Sequence, residues 1–475
     1  MKLLLSLTAA LTAIGSVAVA GPIALINGTV INPADGKTLP RALIVIADGG
    51  ITAVGSPDGI KIPAEAKRID CTGKFILPGC IDTHVHFFQS ADLFTRPDVV
   101  DLTSVRPYAQ EVGWIKSHLA DSFARYLRSG ITSVVDVGGP MWNFEVRKIA
   151  NSTAKAPRVA IAGPLISSVA RPQLDLGDPP IVKIDTPEQG REMVRKLAAQ
   201  KPDYIKIWYI VGPDHPVEKF RPVVHAVVEE SHARQLRVAV HATELEAARA
   251  ALEERADLLV HSVTDKLVDD SFVRLMKERG AILTPTLVVF ERYGRTFAHR
   301  LDLTPEEKAW GNPGVIATLD VTKLPPEKRP ERIKKALGDP DAVLAQIQKT
   351  YDIALKNLKT LEDAGVPIAA GTDAGNIGTI HGPALFREFQ LMHQAGLTPM
   401  QILKSATATA ARVFDTSSGK AFSSAPKPKL GSLAPGQLAD LVILNSDPTS
   451  DIGHASDIDS VMKGGELYRA SNVLP

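Results

Sequence analysis

The chain has 475 residues, with 54 Lys+Arg against 53 Asp+Glu, a formal net charge of +1 and 44% hydrophobic residues. That balance excludes a disordered tail protein, a polybasic nucleic-acid binder and a multi-pass membrane protein. Two cysteines, Cys71 and Cys80, are too few for a disulfide framework or a cysteine zinc ribbon.

The first predicted element is a leader. Lys2 carries its one positive charge, residues 3–20 are uncharged, and the stretch ends Ala18-Val19-Ala20, a small-x-small cleavage pattern. Residues 1–20 are expected to be a cleaved secretory signal, with no cysteine at the cut for lipid attachment. The mature chain is then periplasmic or secreted and keeps no stable membrane span. Cys71 and Cys80, nine residues apart across strand-like sequence, are expected as free, buried thiols.

Short apolar runs at 24–31, 42–46 and 51–54 follow, punctuated by Asn-Gly and Asp-Gly-Gly turn signals. The C-terminus mirrors them at 441–444 and 461–468, the latter turning at Gly464-Gly465. Neither piece makes a core alone, so residues 21–75 and 423–475 are expected to meet in a small composite β-sandwich.

Residues 76–422 alternate short apolar strands with amphipathic helices. Strands are expected at 76–86, 131–137, 158–161, 204–208, 238–241, 258–261, 282–284 and 368–372. Helical patterns lie at 187–199, 217–234, 245–254 and 270–278. Eight strands with crossover helices predict an α/β fold, a (β/α)8 TIM barrel. An interruption at 291–343, rich in Pro, Lys, Arg and Glu, is expected over the barrel mouth. Its basic run at 323–335, broken by Glu327 and Glu331, reads as a solvated face.

The first barrel strand ends Asp82-Thr83-His84-Val85-His86. Alternate strand residues point the same way, so His84 and His86 form a chelating pair for a metal. His241, His261 and Asp373 also close apolar runs, and the C-terminal ends of barrel strands converge on one mouth. Each alone reads equally as a packed histidine or a turn-stabilising aspartate; five together read as one site. Lys206, inside the apolar strand Tyr204-Ile205-Lys206-Ile207, must be paired, neutralised or modified. A neutral amine there can take up carbon dioxide as a carbamate, an anionic ligand able to bridge two metals.

These motifs, with Leu77-Pro78-Gly79, Gly371-Thr372-Asp373-Ala374-Gly375, and the tail Leu430-Gly431-Ser432-Leu433-Ala434-Pro435-Gly436 and Ala439-Asp440-Leu441-Val442, make the chain resemble the metal-dependent amidohydrolase superfamily. The likeness is to its imidazolonepropionase-like and prolidase-like branch. It implies two divalent cations, zinc being the usual one, without excluding manganese, cobalt or iron. By that likeness His84, His86 and Asp373 bind one ion and His241 and His261 the other, bridged by carboxylated Lys206 and a hydroxide. Asp373 would be the catalytic base for hydrolysis of an amide-type C–N bond in a dipeptide, N-acyl amino acid or cyclic amide.

Two alternatives stay open. His241-Ala242-Thr243-Glu244 resembles the His-x-x-Glu of mononuclear deaminases, although Glu244 also suits the start of a helix. A catalytically silent metal- or ligand-binding barrel is the other. Tyr209 and His381 are candidate substrate contacts, and Arg96 and Arg106 are candidates to meet a substrate carboxylate. The expected partner is a small molecule, not a nucleic acid, and a homo-oligomer is compatible with this reading.

Overall fold

The structure, a computed structural model, describes residues 21–416, 422, 425–426 and 428–474. The leader expected at 1–20 and the sandwich boundary expected at 423 lie outside the described residues.

Both ends of the chain share one β-sheet. Its strands run in the order Glu466–Arg469, Ile458–Lys463, Leu441–Leu444, Phe75–Pro78, Ile23–Asn32, Lys37–Ala47 and Gly50–Gly55, with Lys67–Asp70 also paired to Ile23–Asn32. Strand alternation sends Leu25, Ile44, Ile46, Leu441, Ile443 and Met462 into one apolar cluster and Ala24, Leu43 and Val45 into another. Strands from the two chain ends thus pair in a single eight-stranded sheet.

The strand expected over 76–86 is two strands with different partners. Phe75–Pro78 pairs antiparallel with Leu441–Leu444, whereas Cys80–Val85 pairs parallel with Ile131–Asp136. Gly79 makes the exchange: a Cβ there would stand 2.3 Å from Thr132 Oγ1, so only glycine lets the chain pass this close.

Two parallel sheets form the rest. One joins Cys80–Val85, Ile131–Asp136 and Arg158–Ile161. The other runs Ile181–Lys183, Leu165–Ser167, Tyr204–Trp208, Arg237–His241, Leu258–Val260, Ile282–Thr284. Residues 368–372 form no regular strand, contrary to expectation, yet they connect the two sheets: Ala369 N–H donates to Leu283 O at 2.8 Å and Thr83 N–H to Ala370 O at 3.0 Å. Asp203 N–H donates to Ile161 O at 2.7 Å on the other side. The arrangement is TIM-barrel-like with a separate β domain.

Local signals set the helices. Thr186 and Gln189 form a capping box on Pro187–Ala198, and Asp269 caps Asp270–Arg279, which Gly280 ends in the left-handed conformation. Val217–Ala233 and Leu245–Glu253 also stand within a residue of their expected bounds. The insertion is helical: Leu287–Phe297, Pro305–Trp310, Pro313–Thr318, Glu331–Gly338 and Pro340–Asp363. Its own apolar cluster, with Phe297, Leu319, Val321 and Ile333, reaches Leu93, Val100 and Ile377 of the barrel loops. A fully buried pair, Arg292 to Glu307 at 2.9 Å, anchors it. Lys323, Lys328, Lys334 and Lys335 face solvent as expected. No helix among the described residues is long and apolar enough to cross a membrane.

Candidate metal centre

His84 and His86 leave the end of Cys80–Val85, His241 ends Arg237–His241, His261 follows Leu258–Val260, and Asp373 lies in the 368–374 segment. Backbone bonds bring the last segment against the first strand: Asp373 N–H donates to His84 O at 2.7 Å and His86 N–H to Ala374 O at 2.9 Å. Gly371 allows this, since a Cβ there would stand 3.0 Å from His84 N. The six proposed ligand side chains, Lys206 included, line one cavity of about 330 Å³.

Three atoms converge. His84 Nε2 and His86 Nε2 are 3.3 Å apart, and Asp373 Oδ1 is 3.3 Å from the first and 3.1 Å from the second. His86 Nδ1 donates to Gly138 O at 2.7 Å, so the tautomer this carbonyl selects is the one whose Nε2 lone pair can face a cation beside Asp373. An acceptor facing a carboxylate at this distance is repulsive until a cation lies between them. Nitrogen or oxygen ligands about 2.0–2.1 Å from a tetrahedral ion stand about 3.3–3.4 Å apart, close to the triangle seen. His261 completes the inner ring: its centroid is 4.9 Å from that of His84 and 4.4 Å from that of His241.

The backbone here is under strain. His261 (φ +75°) and Asp373 (φ +60°) are non-glycine residues in the left-handed region, as is Thr286 (φ +47°). Each such residue costs about 1–3 kcal/mol and persists only where surroundings over-determine it. Thr286 shows why. It precedes the helix Leu287–Phe297 without capping it, and its hydroxyl instead meets His261 Nδ1 at 2.6 Å. Buried Glu388 caps that helix in its place, accepting from Leu287 N–H at 2.9 Å and Val288 N–H at 2.8 Å. Thr286 and Glu388 lie outside every motif read from the sequence, and no local pattern marks either.

Burial tunes the set toward neutral ligands. It pushes His84 down to about 3 and holds His241 and His261 well below the usual histidine value. Lys206, 1% exposed, is lowered by burial to about 7, opposed by Asp373. Its Nζ and the Nδ1 of His84 are buried without a hydrogen-bond partner. A buried amine of this kind is costly unless something is added to it. The donor set of imidazoles, a carboxylate and a reactive amine therefore fits divalent cations.

Several expected substrate contacts are placed elsewhere. Tyr209 lies in the core, its hydroxyl donating to Val217 O at 2.6 Å, because Trp208 rather than Tyr209 shares the inward face with Lys206. His381 is buried between Tyr126 Oη and Gln89 O, each at 2.8 Å, and stacks on Phe87, so it supports the cavity wall from behind. Arg106 is held by Asp92 and Glu111 and lies outside the cavity. Glu244 precedes the helix Leu245–Glu253, bonded to Thr243, and does not line the cavity either. Arg96 does line it, with Nη1 donating to Asn376 Oδ1 at 2.6 Å, while Asn376 Nδ2 donates to Asp373 O at 3.2 Å. Cys71 and Cys80 are free, as expected, but only Cys71 is fully buried, Cys80 being partly exposed.

The amidohydrolase family profile matches residues 75–468. The chain is 26% identical to ochratoxinase of Aspergillus niger over 494 residues, 95% of this chain and 88% of the relative. The crystal structure of that ochratoxinase superimposes with a TM-score of 0.69 at 23% identity, covering 94% of this chain and 95% of the other. A Xaa-Pro dipeptidase with bound methionine in its active site gives a TM-score of 0.69 at 23% identity, covering 94% and 100%. At these identities the structural likenesses speak for the fold.

Proposed function

The chain belongs to the amidohydrolase family, and from that premise we propose that it is a metal-dependent hydrolase cleaving an amide-type C–N bond in a small molecule. A dipeptide, an N-acyl amino acid or a cyclic amide is the substrate class this reading favours; the names of its relatives, ochratoxinase and Xaa-Pro dipeptidase, point the same way. In this reading the segment 368–374 is the last strand of a closed (β/α)8 ring, supported by its hydrogen bonds to both neighbours. The observation that carries the proposal is the convergence of His84 Nε2, His86 Nε2 and Asp373 Oδ1 within 3.1–3.3 Å.

His84, His86 and Asp373 would hold one cation and His241 and His261 a second, with Lys206 between them as a carbamate. Two divalent cations, zinc by the family's habit, would acidify water and polarise a substrate carbonyl. The residues do the rest. Asp373 takes the proton of the attacking water on its carboxylate and delivers it to the departing amine. His86 is held in one tautomer by Gly138 O, and His261 is oriented by Thr286. Phe88, Trp208 and Phe290 line the same cavity and offer apolar surface against which the substrate's non-reacting part would pack. Export to the periplasm or beyond belongs to the same proposal, supported by the uncharged run 3–20 and Ala18-Val19-Ala20.

Metal analysis of purified protein, together with hydrolysis assays on dipeptides, N-acyl amino acids, lactams and lactones, tests the proposal. About two equivalents of metal and turnover of an amide are expected. One equivalent with release of ammonia from a ring amine would favour a deaminase, and metal-free protein inert to the whole panel would favour a silent barrel.

A further inference from the structure

One cation at the cavity wall lacks a carboxylate partner among the described residues. Two arginines line the cavity, Arg96 and Arg332. Arg96 is held by four hydrogen bonds: Nε and Nη2 bind Asp98 at 2.7 and 2.8 Å, and Nη1 binds Asn376 and the Tyr293 hydroxyl. Asp98 is in turn shared with Arg171 at 3.5 Å, so one carboxylate serves two guanidinium groups. Arg332 has no acidic partner at all among the described residues. Its one polar contact is a long one, Nη1 to Val99 O at 3.4 Å, and its guanidinium lies 5.3 Å over the Phe297 ring.

A fixed element presents this cation. Arg332 belongs to the helix Glu331–Gly338, whose Ile333 and Ala336 are buried in the insertion's apolar cluster beside Leu93, Val100 and Ile377. The remaining donors of a guanidinium form a planar fork that matches a carboxylate in bidentate fashion, which an ammonium cannot do. Resting on the hydrolase reading above, we propose that Arg332 is the specificity-determining residue for a carboxylate on the substrate, at the wall of the cavity that the candidate ligands also line. Arg332 is the residue by which the insertion over the barrel mouth selects what is cleaved.

The test compares matched amides that differ only in the carboxylate. N-benzoylphenylalanine is paired with N-benzoylphenethylamine for the amine side, and N-succinylphenethylamine with N-butyrylphenethylamine for the acyl side. In the metal-loaded wild type, kcat/KM for the acid should exceed that for its neutral partner roughly tenfold or more in one pair, the scale of a charge-assisted contact that is partly open to water. The ratio should shrink with added salt. In Arg332→Ala it should fall to near one, chiefly through KM, while Arg332→Lys keeps part of it. Arg332 faces solvent, and an unaltered circular dichroism spectrum confirms that the variants fold. Equal turnover of both members in both pairs, or a wild-type ratio in Arg332→Ala, overturns the proposal and leaves the hydrolase reading standing. Inertness toward every amide, here and in the wider panel, overturns the hydrolase reading and this proposal with it.

Discussion

His381 offers a test in which stability and catalysis part company. Both of its nitrogens are engaged in the core, with Tyr126 Oη and with Gln89 O, and burial lowers it to about 4 from 6.5. The ring is therefore neutral in the fold at pH values where the unfolded chain's histidine has already taken up a proton. Between about pH 6.5 and pH 4 the unfolded state binds more protons, so stability contributed by the neutral ring is complete above 6.5 and is lost as the pH falls through that window. The interval from 6.5 to about 4, at roughly 1.4 kcal/mol per pH unit, is worth about 3 kcal/mol. Glutamine at this position has no such titration. The wild type should therefore be more stable than His381→Gln at pH 7.5, and that advantage should shrink by about 3 kcal/mol by pH 4. Urea midpoints followed by tryptophan fluorescence, with chelator present throughout so that metal release is common to both proteins, measure it. An advantage that does not change with pH would refute the locked neutral ring. An unchanged midpoint with a raised KM would return His381 to the substrate.

Three further outcomes follow from the centre. Asp373→Asn should lower kcat by about 10²–10⁴-fold while leaving the circular dichroism spectrum intact; a rate near wild type would remove its role as base. Lys206→Ala should come off the column with less metal by elemental analysis and little activity, and a short-chain carboxylic acid should restore part of both. Thr286→Val should weaken metal binding about 10–100-fold in a competition titration with a chelator, and Thr286→Ser should keep it, since only the hydroxyl reaches His261 Nδ1. Equal affinity in Thr286→Val would show that ring packing alone orients His261.

The candidate ligand set is legible in the sequence because the histidines and Asp373 stand at or just past the ends of short apolar runs, where a barrel collects its side chains, and because Lys206 is a charge-bearing residue inside an apolar strand. His84, His86, Lys206, His241, His261 and Asp373 all line the same cavity for that reason. Alternation along a strand is just as informative where it is followed through: from Lys206 it selects Trp208 and sends Tyr209 into the core. The change of partner at Gly79 is invisible, because the apolar pattern runs on unbroken while the neighbouring strands differ. Leu165–Ser167 and Ile181–Lys183 are too short, at three residues each, to show any period. Glu388 caps a helix that starts about a hundred residues before it, a link no local window contains. Arg332 is as exposed as the lysines of its basic run, and only its place at the cavity wall, which no local pattern shows, sets it apart.

The sheet shared by both chain ends has a consequence for how the protein is made. Phe75–Pro78, one residue upstream of the strand that carries His84 and His86, has Leu441–Leu444 as its antiparallel neighbour on one edge. That edge stays open until Leu441–Leu444 has been synthesised. Maturation of the strand that carries His84 is thereby tied to synthesis of a segment far downstream, and a polypeptide ending before Leu441 would contain every candidate ligand yet lack the brace beside the first two.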